Sequence, residues 1–144
     1  MGILCDIDWI NDIRHLLDAA DPGTGCIGKV ATLDVAVVIP TYNRAHLVGE
    51  TLQSILSRTV TPHEIIVVND GSQDETQAVL ARFGQSIQCI TIRNQGSVAA
   101  RNVGLRAAGW RLVAFCDSDD LWREDFLERM LEVWQVRHRR SAHR

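Results

Sequence analysis

The sequence predicts an α/β domain on a mainly parallel sheet. Three observations carry this. Short, continuous apolar runs rich in Val and Ile recur along the chain, as in strands buried on both faces. Segments with apolar residues at helical spacing separate them. The resulting order, β-α-β-α-β-α-β-α, implies parallel strands joined by right-handed crossovers.

The elements follow in order. VAVVIP (35–40) is the first strand, and a helix over about 45–57 places Leu47, Val48, Leu52, Ile55 and Leu56 on one face. EIIVVND (64–70) is the second strand, followed by a helix over about 74–83. QCITIR (88–93) is the third strand, and SVAARNVGLRAA (97–108) the third helix. RLVAFC (111–116) is the fourth strand. The last helix starts near residue 123, with Phe126, Leu127, Met130, Leu131 and Trp134 on one stripe.

Ahead of this pattern, Trp9, Ile10, Ile13, Leu16 and Leu17 predict a short helix over residues 8 to about 20, with Asp8 as N-cap. DPGTGCIGK then reads as a linker. The expected organisation is a leader helix and Gly-rich linker (1–33), an α/β domain (34–138) and a basic tail (139–144). GTGCIGKV (23–30) satisfies G-x-G-x-x-G, but a helix precedes it and a strand follows. The phosphate-binding reading requires the opposite order.

The chain's 144 residues suffice for one domain with a core. A formal net charge of -3 gives no general attraction to nucleic acid or anionic membrane. No apolar run approaches the ~20 residues needed to span a bilayer. Cys5, Cys26, Cys89 and Cys116 match neither zinc nor C-x-x-C spacing. Cys89 and Cys116 lie in strand-like runs and are expected to be buried thiols. The expected setting is reducing and cytoplasmic, with peripheral membrane association left open.

In an open parallel sheet, ligands bind outside the carboxyl ends of the strands. PTYNR, NDGSQD, RNQGS and CDSDD each follow a strand directly, so four strands deliver polar residues to one edge. Tyr42 offers a stacking face or simply packs, and Arg44 carries a fixed charge. Asp70 can accept from a ligand N–H, while Asn-Asp-Gly is also turn chemistry and Asp74 can cap the next helix. Arg101 lies in an otherwise small, apolar helix. It can pair with Asp70 or the acidic cluster, or clamp a diphosphate. Asp117 and Asp119, one residue apart at a strand end, can share one divalent metal; acids there also favour a following helix.

With these motifs in place, the sequence resembles the family 2 glycosyltransferases over about Asp34 to Arg137. VAVVIPTYNRAHLVGETLQSIL, EIIVVNDGSQDET, NQGSVAARNVGLRAA and LVAFCDSDDLWRED carry the likeness. The resemblance implies a GT-A, Rossmann-type α/β/α fold with about four strands in the order 3-2-1-4. It implies a nucleotide-diphospho-sugar donor, a UDP-sugar foremost. Pro40, Thr41, Tyr42 and Arg44 would line the nucleoside pocket, with Tyr42 near the uracil. Asp70 would accept from the base, and Arg101 would lie near the base or diphosphate. Asp117 would meet the ribose and support the metal, and Asp119 would coordinate Mn²⁺ or Mg²⁺. Asp120 would support the metal site from behind or open the next helix.

The implied reaction is inverting displacement at the anomeric carbon, with a carboxylate base acting on the acceptor hydroxyl. The family places that base well beyond the D-x-D. Glu124, Asp125, Glu128 and Glu132 fall in one predicted helix and read as its first turn and solvated face. No base is identified, and the expectation is a donor-binding half, truncated and inactive alone, whose fourth strand and last helix expose an apolar surface and promote self-association. The acceptor, whether sugar, lipid or protein, is not specified. Two alternatives stand beside this reading. One is a non-catalytic nucleotide-binding or assembly module needing a partner. The other is a haloacid-dehalogenase-type phosphohydrolase using LVAFCDSDD, remote because that family puts the motif on its first strand.

Overall fold

A computed structural model of the chain describes residues 4–6, 35–57 and 60–141, with side chains in 35–57 and 60–136. The predicted leader helix and the Gly-rich stretch lie outside these residues.

The elements run β1 (Leu4–Asp6), β2 (Val35–Thr41), α1 (Val48–Leu56), β3 (Glu64–Asn69), α2 (Thr76–Ala81), β4 (Gln88–Thr91), α3 (Ser97–Ala107), β5 (Leu112–Phe115) and α4 (Phe126–Ser141). The sheet order is β1-β5-β2-β3-β4. The last four strands of that order are parallel to one another. Counted from β2, they have the expected order 3-2-1-4. β1 is an addition: it pairs antiparallel with the outer edge of β5, Cys5 opposite Val113. A three-residue strand carries too little periodicity to be read from sequence.

Strand alternation sorts the core onto two faces. Val35, Val37 and Ile39 of β2 face one side, with Ile65, Val67, Leu112 and Ala114, under Leu52 and Ile55 of α1, Leu80 of α2, and Leu127 and Leu131 of α4. Ala36 and Val38 face the other side, with Ile66, Val68, Val113 and Ala100 of α3. Three helices thus cover one face and α3 the other, which makes the three layers. Gly104 lets α3 lie close to the sheet: a Cβ there would collide with Val38.

Three expectations change. Cys89 is exposed, because β4 is an edge strand whose residues lie at the surface, whereas Cys116 is buried as expected. β5 does not present an apolar surface; Leu112, Val113 and Ala114 are buried, whereas α4 exposes Val133 and Val136. β2 also continues one residue past Pro40, which stays paired in register with Val68 of β3. The reason is directional. Val38 O accepts from Cys116 N on the β5 side, and Thr41 O accepts from Asp70 N on the β3 side. By alternation the Pro40 nitrogen faces β5, beyond the last β2–β5 pair at Val38 and Phe115.

That divergence matters. The chain leaves β2 toward β3 on one side and returns as β5 on the other. The two strands separate at their carboxyl ends, at the topological switch point where such sheets bind ligands.

Candidate functional site

A cleft of about 300 Å³ opens at this point, at the small end of ligand-site volumes. Pro40, Thr41, Tyr42 and Arg44 line it from the end of β2, Asp70 from the end of β3, Arg101 from α3, and Asp117 and Asp119 from the loop after β5. All eight residues predicted from sequence meet in one cavity. Ser97, Ala100 and Ser118 also line it and were not predicted. Their signal was positional: Ser97 opens α3 just after the Gly turn, Ala100 precedes Arg101, and Ser118 separates the two acids.

The β2 and β3 loops are tied together. Asn43, at φ 49, is in the left-handed region that Asn tolerates better than most residues. Its N–H donates to Ser72 Oγ (2.9 Å), and its Oδ1 accepts from Gln73 N (2.8 Å). Arg44 N donates to Thr76 Oγ1 (3.0 Å), and Ala45 N to Asp74 Oδ2 (3.1 Å). Asp74 Oδ1 also accepts from Thr76 N and Oγ1. The Thr76 hydroxyl is the main reason that the Asp74 carboxyl lies below its ordinary pKa. Asp74 therefore organises the start of α2, as its spacing suggested.

Asp70 is 3% exposed. Its two oxygens accept from Gln95 N (2.8 Å) and Gly96 N (2.9 Å), at the entrance to α3. A carboxylate here offsets the positive end of the helix. Each oxygen retains a further lone pair, so this turn-holding role is compatible with accepting from a ligand. Gly71, at φ 72, is required between them: a Cβ would approach Asn94 N to 3.0 Å.

Arg101 pairs with Asp117, not Asp70; the two side chains are 36% and 46% exposed. The acidic loop is otherwise held by backbone turns and by α1. Asp120 N donates to Asp117 O (3.0 Å), while Asp119 is an exposed residue at the cleft. Thr41 Oγ1 is buried in the cleft wall and has no hydrogen-bond partner. Such an atom carries a desolvation cost that a bound polar group would relieve.

The donor set suits a hard cation. Asp117 and Asp119 supply carboxylate oxygens on the same cleft, while the described residues contain no group of three His, Cys, Asp or Glu able to hold an ion. Magnesium-like ions are commonly held by one or two carboxylates completed by substrate phosphates and water. The late acids lie elsewhere: Asp125 pairs with Arg129 (2.6 Å) on α4, away from the residues that line the cleft. No helix among the described residues is long and apolar enough to cross a membrane.

Comparison with known proteins agrees with the geometry. The glycosyl transferase family 2 model matches residues 36–140. The Escherichia coli UDP-Glc:alpha-D-GlcNAc-diphosphoundecaprenol beta-1,3-glucosyltransferase WfgD is 34% identical over 101 residues, 69% of this chain and 40% of that protein. The Staphylococcus aureus TarS 1-349 structure with UDP superposes with a TM-score of 0.66 at 28% identity, covering 73% of this chain and 33% of that 1-349 chain. A Pyrobaculum calidifontis mannosyltransferase, PcManGT, in complex with GDP-Man and Mn²⁺, gives 0.61 at 31% identity, covering 65% and 30%. The chain spans less than half of the length of the relatives compared, from 15% to 42% of the curated proteins. The phosphohydrolase alternative has no support in this match. A GT-A-type sheet, a cleft at its switch point and the family match over most of its length together establish that this chain belongs to glycosyl transferase family 2.

Proposed function

We propose that the cleft binds a nucleotide-diphospho-sugar, a UDP-sugar foremost, and serves an inverting glycosyl transfer. The observation that carries this is the meeting of Tyr42, Asp70, Arg101, Asp117 and Asp119 around one cavity, with the unpartnered Thr41 hydroxyl in its wall. Tyr42, 40% exposed, offers a face for the base to stack on. The spare lone pairs of Asp70 accept from a base N–H. Asp117 accepts from a ribose hydroxyl while remaining within reach of Arg101, and Arg101 presents its other N–H groups to diphosphate oxygens.

Asp119 and Asp117 would hold Mn²⁺ or Mg²⁺, which when bound neutralises charge on the departing diphosphate. In the transfer itself the acceptor oxygen bonds to the anomeric carbon from the face opposite the diphosphate. The diphosphate leaves with the electron pair of the broken C–O bond, and a base takes the hydroxyl proton. The cleft carboxylates among the described residues are Asp70, Asp117 and Asp119, all assigned to donor and cation. We assign this chain the donor-binding role, with the base supplied from outside this cleft.

Calorimetric titration with UDP, with and without Mn²⁺, tests the reading. The expected result is metal-enhanced binding that Asp119→Ala removes. Binding indifferent to both the metal and that substitution would refute the site. Incubating the chain with a UDP-sugar and following its hydrolysis or transfer separates an active enzyme from a binding module that depends on a partner.

A further inference from the structure

The acidic loop is aimed by α1, an element none of whose helical residues lines the cleft. The loop crosses from β5 to α4 without regular structure, yet Ser118, between the two acids, is buried. Its carbonyl accepts from Thr51 Oγ1 (3.0 Å), itself buried on α1. One helical turn along, Ser54 Oγ accepts from Trp122 N (3.2 Å) and donates to the Thr51 carbonyl (2.7 Å). Trp122 is buried and packs against Phe126 in a tilted arrangement, with ring centroids 4.7 Å apart and planes 41° from parallel. Two hydroxyls of α1 therefore grip the loop on either side of Asp119 and Asp120.

We propose that Thr51 and Ser54 are positioning residues for the D-x-D carboxylates. The Ser118 carbonyl belongs to the peptide that enters Asp119, and that peptide is planar. Fixing the direction of the carbonyl fixes the plane from which the Asp119 side chain departs. A buried carbonyl left without its donor would turn to find another partner, rotating that plane and swinging Asp119 with it. The hydroxyls act through the loop, and neither touches the donor.

The proposal rests on the donor-binding reading, and its test separates the two. Thr51→Val keeps the branched shape and removes the donor; Thr51→Ser restores it; Ser54→Ala removes the second grip. Amide hydrogen exchange on the full chain, without ligand, reads the loop itself. Exchange at residues 118–122 should quicken by about tenfold in Thr51→Val relative to strands β2 and β3, and return in Thr51→Ser. UDP titration then reads the consequence. Thr51→Val should lose about tenfold in affinity with Mn²⁺ and be unchanged in EDTA, with Thr51→Ser recovering. Unaltered loop exchange in Thr51→Val overturns the proposal whatever the ligand. So does a loss of UDP affinity that is equal with and without Mn²⁺. If wild-type UDP binding ignores the metal, the donor-site reading falls, while loop exchange still decides whether α1 positions the carboxylates.

Discussion

The loops after β2 and β3 are bolted to each other, whereas the loop after β5 rests on a helix and one ion pair. On the first side, Asn43, Arg44 and Ala45 reach across to Ser72, Gln73, Asp74 and Thr76, and Asp70 holds the entrance to α3. Each is a short bond from a backbone N–H to a side-chain oxygen, joining residues 25 to 32 positions apart, and together they set the geometry before any ligand arrives. On the second side, the charged groups stay accessible and Asp117 takes Arg101 as its counterion. An ion pair this exposed contributes about 0–1 kcal/mol, so an arriving anion or cation can rearrange it. The difference teaches a division of labour: a preformed end suited to recognising a rigid base, and an exchangeable end suited to a charged diphosphate.

The largest expected effect breaks the preformed end. Asp70→Ala removes the acceptor of two backbone amides and should cost about 2–3 kcal/mol, read by urea denaturation. A loss below about 0.5 kcal/mol would mean that the β3–α3 turn holds itself. Next comes the helix shared by both ends. Gly104→Ala gains about 1 kcal/mol in helix propensity but drives a methyl into Val38, where overpacking costs about 1–3 kcal/mol. A net loss of about 1–2 kcal/mol should follow, with weaker UDP binding as α3 lifts Arg101 away from the sheet. A more stable protein would show that the sheet yields there.

Arg101→Gln addresses the exchangeable end. Unfolding free energy should change by less than about 1 kcal/mol, while affinity for UDP with Mn²⁺ falls about tenfold. The reverse pattern, large in stability and absent in binding, would make the pair a structural strut. The smallest effect is at Asp74. Its carboxyl is held below the ordinary value chiefly by the Thr76 hydroxyl, so its stabilisation is full above that value and fades as pH falls through the depressed one. The stability advantage of wild type over Asp74→Asn should therefore be present at pH 7 and shrink below about pH 4. Because Asp74 is exposed, solvent screening keeps the advantage small.

The sequence by itself determined the β/α alternation, the four parallel strands and the residues gathered at their ends. The reason is that buried strands and amphipathic helices write their burial into local periodicity, and strand ends in such folds converge on one edge. PTYNR, NDGS and CDSDD could be located on that basis alone. Only the tertiary structure decided the partners. Arg101 had Asp70 and the acidic cluster within range on paper; packing of α3 over Ala36 and Val38 gave it Asp117, while Asp70 went to the amides of Gln95 and Gly96. The link from Thr51 to Ser118 joins residues 67 positions apart and leaves no trace in either segment. The exposure of Cys89 and the antiparallel β1 likewise depend on which strands end up at the edges of the sheet. Periodicity reports whether a residue is buried, but which group it meets is set by long-range packing.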